Sequence, residues 1–101
     1  MEKNISFVND KICKEGTICV YLLVCGDGSL YCGWTNHLQK RVAAHQSGKG
    51  GKYTRSPLPV RLAYYETAVS REAALRREAA IKKLSRKKKL ELIEQARHVQ
   101  G

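Results

Sequence analysis

The stretch Ile18-Cys19-Val20-Tyr21-Leu22-Leu23-Val24-Cys25-Gly26-Asp27-Gly28-Ser29-Leu30-Tyr31-Cys32-Gly33-Trp34 contains two apolar runs, Ile18 to Val24 and Leu30 to Trp34, around Gly26-Asp27-Gly28. Glycine and aspartate tolerate turn conformations that most residues avoid, so the pattern predicts a β-hairpin. A three-residue loop with Gly28 left-handed pairs Cys25 with Ser29, and hence Tyr21 with Gly33. Strand side chains alternate, so Tyr21, Tyr31 and Gly33 share one sheet face, and Ile18, Val20, Leu22, Val24, Leu30 and Trp34 share the other. The second set is an aliphatic slab. The first puts a glycine opposite a phenol, where no side chain blocks an approaching ligand, and Gly33 is therefore a substrate-approach position. Tyrosines are also common in strands with no functional duty.

Beyond the hairpin, Asn36 followed three residues later by Gln39 has the form of a capping box, and Ser47-Gly48 supplies a stop, predicting a helix from about His37 to Gln46. Its apolar stripe is Leu38 and Val42. Arg41 and His45, four residues apart, lie along the edge of that stripe. Gly48 to Arg55 is a flexible basic loop in which Lys49, Lys52 and Arg55 could track a phosphate backbone or be merely solvated. Pro57 and Pro59 precede a third strand, Val60 to Glu66, with Val60, Leu62 and Tyr64 alternating against Arg61, Ala63 and Tyr65.

Ser70 is the expected cap of a helix to about Leu84 whose apolar set is Ala74, Leu75, Ile81 and Leu84. Glu78 falls inside that stripe. A carboxylate directed at a core needs a cation, a metal or several donors, and an ion pair with Arg41 or another arginine stands as an equal alternative to a metal. Ser85 is expected to cap a last helix reaching Ala96, with Leu90, Leu92 and Ile93 as apolar contacts. Its first turn, Arg86-Lys87-Lys88-Lys89, opposes the helix dipole unless an anion docks there; a solvated basic face is the commoner case. Residues 71 to 98 carry ten of the nineteen Lys and Arg against four acidic residues, which favours phosphate contact.

A chain of 101 residues is expected to form one domain with room for a single modest core. The net charge of +10 and a pI of about 9.7 point to a polyanion, nucleic acid ahead of anionic membrane. No run approaches the roughly 18 apolar residues of a membrane span, and residues 1–15 lack the apolar centre of a signal peptide, so a soluble, cytoplasmic protein is expected. Cys13, Cys19, Cys25 and Cys32 form no Cys-x-x-Cys pair and read as reduced thiols.

Taken together, Tyr21, Tyr31, Arg41, His45 and Glu78 suit a phosphodiester. Arginine braces non-bridging oxygens, glutamate holds a divalent ion, and the ion polarises the phosphate or leaving oxygen. Tyrosine, with an ordinary pKa near 10, acts as a base only if cations stabilise its phenolate. Otherwise it orients the nucleophile and His45 is the better proton acceptor.

At these residues the chain resembles the GIY-YIG endonuclease superfamily. The first tripeptide reads Cys19-Val20-Tyr21 and the second Tyr31-Cys32-Gly33, and the family's arginine, nearby histidine or tyrosine, and metal-binding glutamate match Arg41, His45 and Glu78. The likeness runs from about Gly16 to Ile93 and is nearest to the short stand-alone bacterial branch. It implies an α+β fold, a three-stranded antiparallel β-sheet flanked by helices. It also implies a hydrolase that cuts DNA phosphodiesters with one Mg2+ or Mn2+ ion, as in DNA repair or recombination. Residues 1–15 are then an extension, 16–93 the nuclease-like domain and 94–101 a tail. The chain departs from the pattern in two ways: Trp34, Thr35 and Asn36 stand where many relatives carry a lysine, and no asparagine follows Asn36. With no further domain, the expected activity is tolerant of DNA structure or sequence, or takes specificity from a protein partner. A basic nucleic-acid-binding module that keeps the fold without catalysis is the competing reading, and an RNA-directed role the third.

Overall fold

The structure, a computed structural model, describes residues 16–47 and 59–100, with the backbone alone for 97–100. Lys49, Lys52 and Arg55, the Gly48 stop, Pro57, Cys13 and the N-terminal extension lie outside the described residues.

Strands β1 (Cys19–Val24) and β2 (Leu30–Thr35) form the hairpin; helix α1 (Leu38–Gln46), strand β3 (Arg61–Thr67) and helices α2 (Arg71–Lys82) and α3 (Arg86–Gln100) follow. The sheet order is β2-β1-β3, both pairings antiparallel. The hairpin register is the one its turn dictates. Cys25 N–H donates to Ser29 O at 2.9 Å, Gly28 has φ +87°, and Tyr21 faces Gly33. The Asp27 carboxylate accepts from the Ser29 N–H and hydroxyl, which closes the loop.

Both faces of the sheet carry a core. Val20, Leu22 and Cys32 pack against Ala74 and Ile81 of α2, with Ile18, Trp34, Leu84, Leu92 and Ile93 around them. Cys19, Tyr21 and Leu23 pack with Leu38, Val60 and Leu62, bordered by Tyr31, Val42 and Tyr65. The phenol face is therefore covered rather than open, and Tyr21 is 1% exposed. Three layers result, with α1 over the phenol face and α2 and α3 over the aliphatic one.

Several local expectations are corrected. Asn36 does not cap α1. His37 occupies that position, no side chain caps the helix, and the Thr35 hydroxyl instead accepts from His37 N–H at 3.0 Å. Strict alternation fails in β3, where Leu22 pairs with Tyr64 but Leu23 with Leu62, leaving Ala63 as a bulge. The extra residue shifts the parity, so Leu62 joins the phenol-face core and Tyr64 the other. Leu75, assigned to the core stripe, is 44% exposed. The end of α2 is Lys82 rather than Leu84, and α3 continues past Ala96 to Gln100. Ser70 and Ser85 cap as expected, their hydroxyls accepting from Ala73 N–H and Lys88 N–H.

A brace that the pattern did not disclose ties β3 to α2. Tyr64 donates to one Glu66 oxygen while Arg77 Nε donates to the other at 2.6 Å. Burial and the Glu66 carboxylate together push the Tyr64 phenol up to about 12.

Candidate active site

Because β2 lies at an edge of the sheet, side chains from both faces can meet along its outer side. A groove of about 660 Å³ opens there, lined by Tyr21, Tyr31, Gly33, Trp34, Thr35, Asn36, Arg41, Glu78 and Lys82. Tyr21, Tyr31 and Arg41 come from the α1 side, Glu78 and Lys82 from α2 on the opposite side. Four of the five residues singled out by spacing line it directly.

His45, the fifth, stands behind. It is 2% exposed, and its Nε2 lies 3.2 Å from the Tyr21 hydroxyl. Its ring sits 5.1 Å from the Tyr31 ring and 6.0 Å from the Tyr21 ring, centroid to centroid, so the three aromatics form one cluster. Helical spacing places it there, since Leu38 and Val42 seat the inner stripe of α1 and bring Arg41 and His45 to the same side. His45 Nδ1 is buried without a partner among the described residues.

Gly33 has a more specific role than leaving the sheet face bare. A Cβ there would stand 2.7 Å from the Tyr21 hydroxyl oxygen and 3.2 Å from Tyr31 Cε2. The space above the glycine is filled by the Tyr21 phenol itself, which reaches across β2 to the groove. Gly33 thus admits the phenol and itself lines the groove.

Electrostatics then decide what each group can do. Burial pushes the Tyr21 phenol up to about 12. The Arg41 guanidinium, close enough to hydrogen-bond it, pulls the other way and loses. Near neutral pH Tyr21 is a protonated donor, not a phenolate base. Burial, reinforced by the Arg41 charge, lowers the His45 pKa, so the imidazole is neutral and can accept a proton. Beneath the groove, burial followed by the Glu78 charge pushes the Cys32 thiol up to about 11 and keeps it inert.

Glu78 is held between core and groove, its side chain 16% exposed. Its partner is neither Arg41 nor another arginine but Lys82, whose Nζ lies 3.2 Å from Oε2 one helical turn on. The residue pair was visible as an i, i+4 spacing; that both members face the groove was not. No group of three or more His, Cys, Asp or Glu that could hold a metal occurs among the described residues. One carboxylate facing an open groove still fits Mg2+ or Mn2+, since Mg2+ keeps several waters and takes one or two carboxylates. The basic turn Arg86 to Lys89 lies at the start of α3, where Arg86, Lys87 and Lys88 are exposed and Lys89 is half-buried. It does not line the groove.

Comparison with known proteins places the chain in a family. A family profile of the GIY-YIG catalytic domain matches residues 17–91, and the chain belongs to that family. Members are nuclease domains that act on nucleic acid and generally depend on a metal ion. A UPF0213 protein of Bacillus cereus is 58% identical over 48 residues, 48% of this chain and 50% of that protein. One of Bacillus pumilus is 61% identical over 54 residues, 52% and 55% of the two chains, and one of Streptococcus sanguinis is 52% identical over 59 residues, 58% and 68%. The chain spans about half the length of the curated Bacillus relatives it matches. Among solved structures, the solution NMR structure of a UPF0213 protein from Bacillus halodurans has TM-score 0.51 at 45% identity, covering 77% of this chain and 83% of that one. That of an E. faecalis protein has TM-score 0.55 at 38% identity, covering 84% and 90%. The three-stranded antiparallel sheet with its helices is the fold of these neighbours.

Proposed function

We propose that the chain is a metal-dependent DNA endonuclease that hydrolyses a phosphodiester in the groove along β2. The observation that carries this reading is the meeting of Tyr21, Tyr31, Arg41 and Glu78 on one groove, with His45 hydrogen-bonded behind Tyr21. Arg41 braces the non-bridging oxygens of the phosphate. Tyr31 and the Tyr21 hydroxyl orient the attacking water, and as it attacks its proton passes to Tyr21 Oη while the phenol proton passes to His45 Nε2. Glu78 would hold the Mg2+ or Mn2+ ion, which would supply Lewis-acid polarisation of the phosphate and offset charge on the leaving oxygen. Arg86, Lys87, Lys88 and Lys89 contribute backbone contacts that carry no sequence preference, which suits a tolerant nuclease or one steered by a partner. A cytoplasmic role in DNA repair or recombination is consistent with it.

The test is a plasmid-nicking assay with Mg2+ or Mn2+. Wild type is expected to nick, and Glu78→Ala to lose cleavage while still binding DNA. Equal nicking by both proteins overturns the proposal.

A second reading, a binding module without turnover, is favoured by the Glu78–Lys82 ion pair and by the high Tyr21 pKa. Salt-dependent binding with no metal-dependent product from supercoiled, branched or single-stranded DNA, or from RNA, would select it.

A further inference from the structure

Where many family members carry a lysine after the second tripeptide, Trp34, Thr35 and Asn36 line this groove without a positive charge. Among the described residues its cations come from the flanking helices, Arg41 on α1 and Lys82 on α2. Lys82 is bound to the one carboxylate that lines the groove among the described residues, 3.2 Å from Glu78 Oε2. The two ends of that pair are unequally held: the Lys82 side chain is 56% exposed and that of Glu78 16%. The half-buried carboxylate stays, and the ammonium on its flexible four-carbon stem can leave.

A divalent cation reaching Glu78 meets an oxygen already neutralised by Lys82. Two cations at contact distance from one carboxylate repel each other, so the ion and the ammonium compete. Once displaced, the ammonium is still tethered within reach of the groove, and the anion it can next meet there is a substrate phosphate.

Resting on the reading of Glu78 as the metal ligand, we propose that Lys82 is a positioning residue that exchanges partners. It holds the Glu78 carboxylate while no cation is bound, yields it to the divalent ion, and then pairs with the phosphate backbone of the substrate. It thereby supplies, from α2, the positive charge missing after the second tripeptide.

The experiment uses the full chain with Lys82→Met, which keeps the stem and removes the charge, alongside Lys82→Arg and Glu78→Gln. Mn2+ affinity is measured without nucleic acid by water-proton relaxation. Affinity for a duplex oligonucleotide is measured in Ca2+ by fluorescence anisotropy across a salt series. Lys82→Met is expected to bind Mn2+ about twofold more tightly than wild type, the strength of an exposed pair of this spacing. It should bind DNA more weakly, with a log–log salt slope shallower by about one. Lys82→Arg should retain DNA affinity. Opposite changes in metal and DNA affinity do not arise from impaired packing, which would weaken both. Unchanged or weaker Mn2+ binding by Lys82→Met overturns the exchange, as does unchanged DNA affinity. If Glu78→Gln loses Mn2+ while Lys82→Met matches wild type, the Lys82 assignment falls alone. If wild type and Glu78→Gln bind Mn2+ equally, the metal-site reading falls with it.

Discussion

A methyl group at Gly33 would stand 2.7 Å from the Tyr21 hydroxyl oxygen and 2.9 Å from its ring carbon, closer than real Cβ atoms approach. The phenol is packed in the core and cannot simply swing aside. Gly33→Ala is therefore expected to cost about 1–3 kcal/mol, the usual range for overpacking, read as a lowered urea midpoint in circular dichroism. It should also displace Tyr21 from His45; a variant as stable and as active as wild type would show that the phenol has other room. His45 gives a pH dependence whose sign follows from burial. Its folded pKa lies below the ordinary 6.5, so the unfolded chain takes up a proton first as pH falls. Stability from this group is fully present above about 6.5 and declines as pH drops toward the lowered folded value. Denaturation midpoints at pH 7.5 and 5.5 should differ in that direction, and His45→Gln should flatten the difference.

At the scale of elements, α2 has two jobs, packing on the sheet and presenting Glu78 and Lys82. Ile81 is fully buried against Val20, Leu22 and Cys32, whereas Leu75 faces outward at 44% exposure. Ile81→Ala is expected to destabilise by about 2–5 kcal/mol. Leu75→Gln should stay within about 0.5 kcal/mol, as surface changes do. Chemical denaturation distinguishes the two, and similar costs would mean that Leu75 is part of the core. The helix periodicity that grouped Leu75 with Ala74 and Ile81 described a stripe wider than the sheet could cover. The bulge at Ala63 has the same origin on β3, where a period of two held until one inserted residue reversed the faces of what followed.

For the whole molecule, the net charge of +10 sets a field that draws polyanions, but the location of the charges matters more than the sum. Arg41 and Lys82 lie in the groove, and Arg86, Lys87 and Lys88 form an exposed turn that does not line it. If that turn touches the DNA backbone, replacing Arg86, Lys87 and Lys88 together by alanine lowers the salt slope of DNA binding by about 0.9 for each phosphate that is no longer neutralised. Anisotropy over a potassium chloride series reads this directly. An unchanged slope would make the turn a solvated face.

The hairpin, its register, the facing of Tyr21 and Gly33 and the helix carrying Arg41 and His45 were all determined by local sequence. Turn chemistry and side-chain alternation act between near neighbours, where few alternatives compete. The ordered set of five residues, read with its spacing, was enough to mark the family. The cover over the phenol face, the bulge that reversed Tyr64, the exposure of Leu75 and the choice of Lys82 as the partner of Glu78 were decided only by tertiary packing. Each depends on which surface arrives from a distant part of the chain. The groove belongs to the same class: it exists because β2 is an edge strand among the described residues, where helices on opposite faces of the sheet bring their charged side chains around to one place.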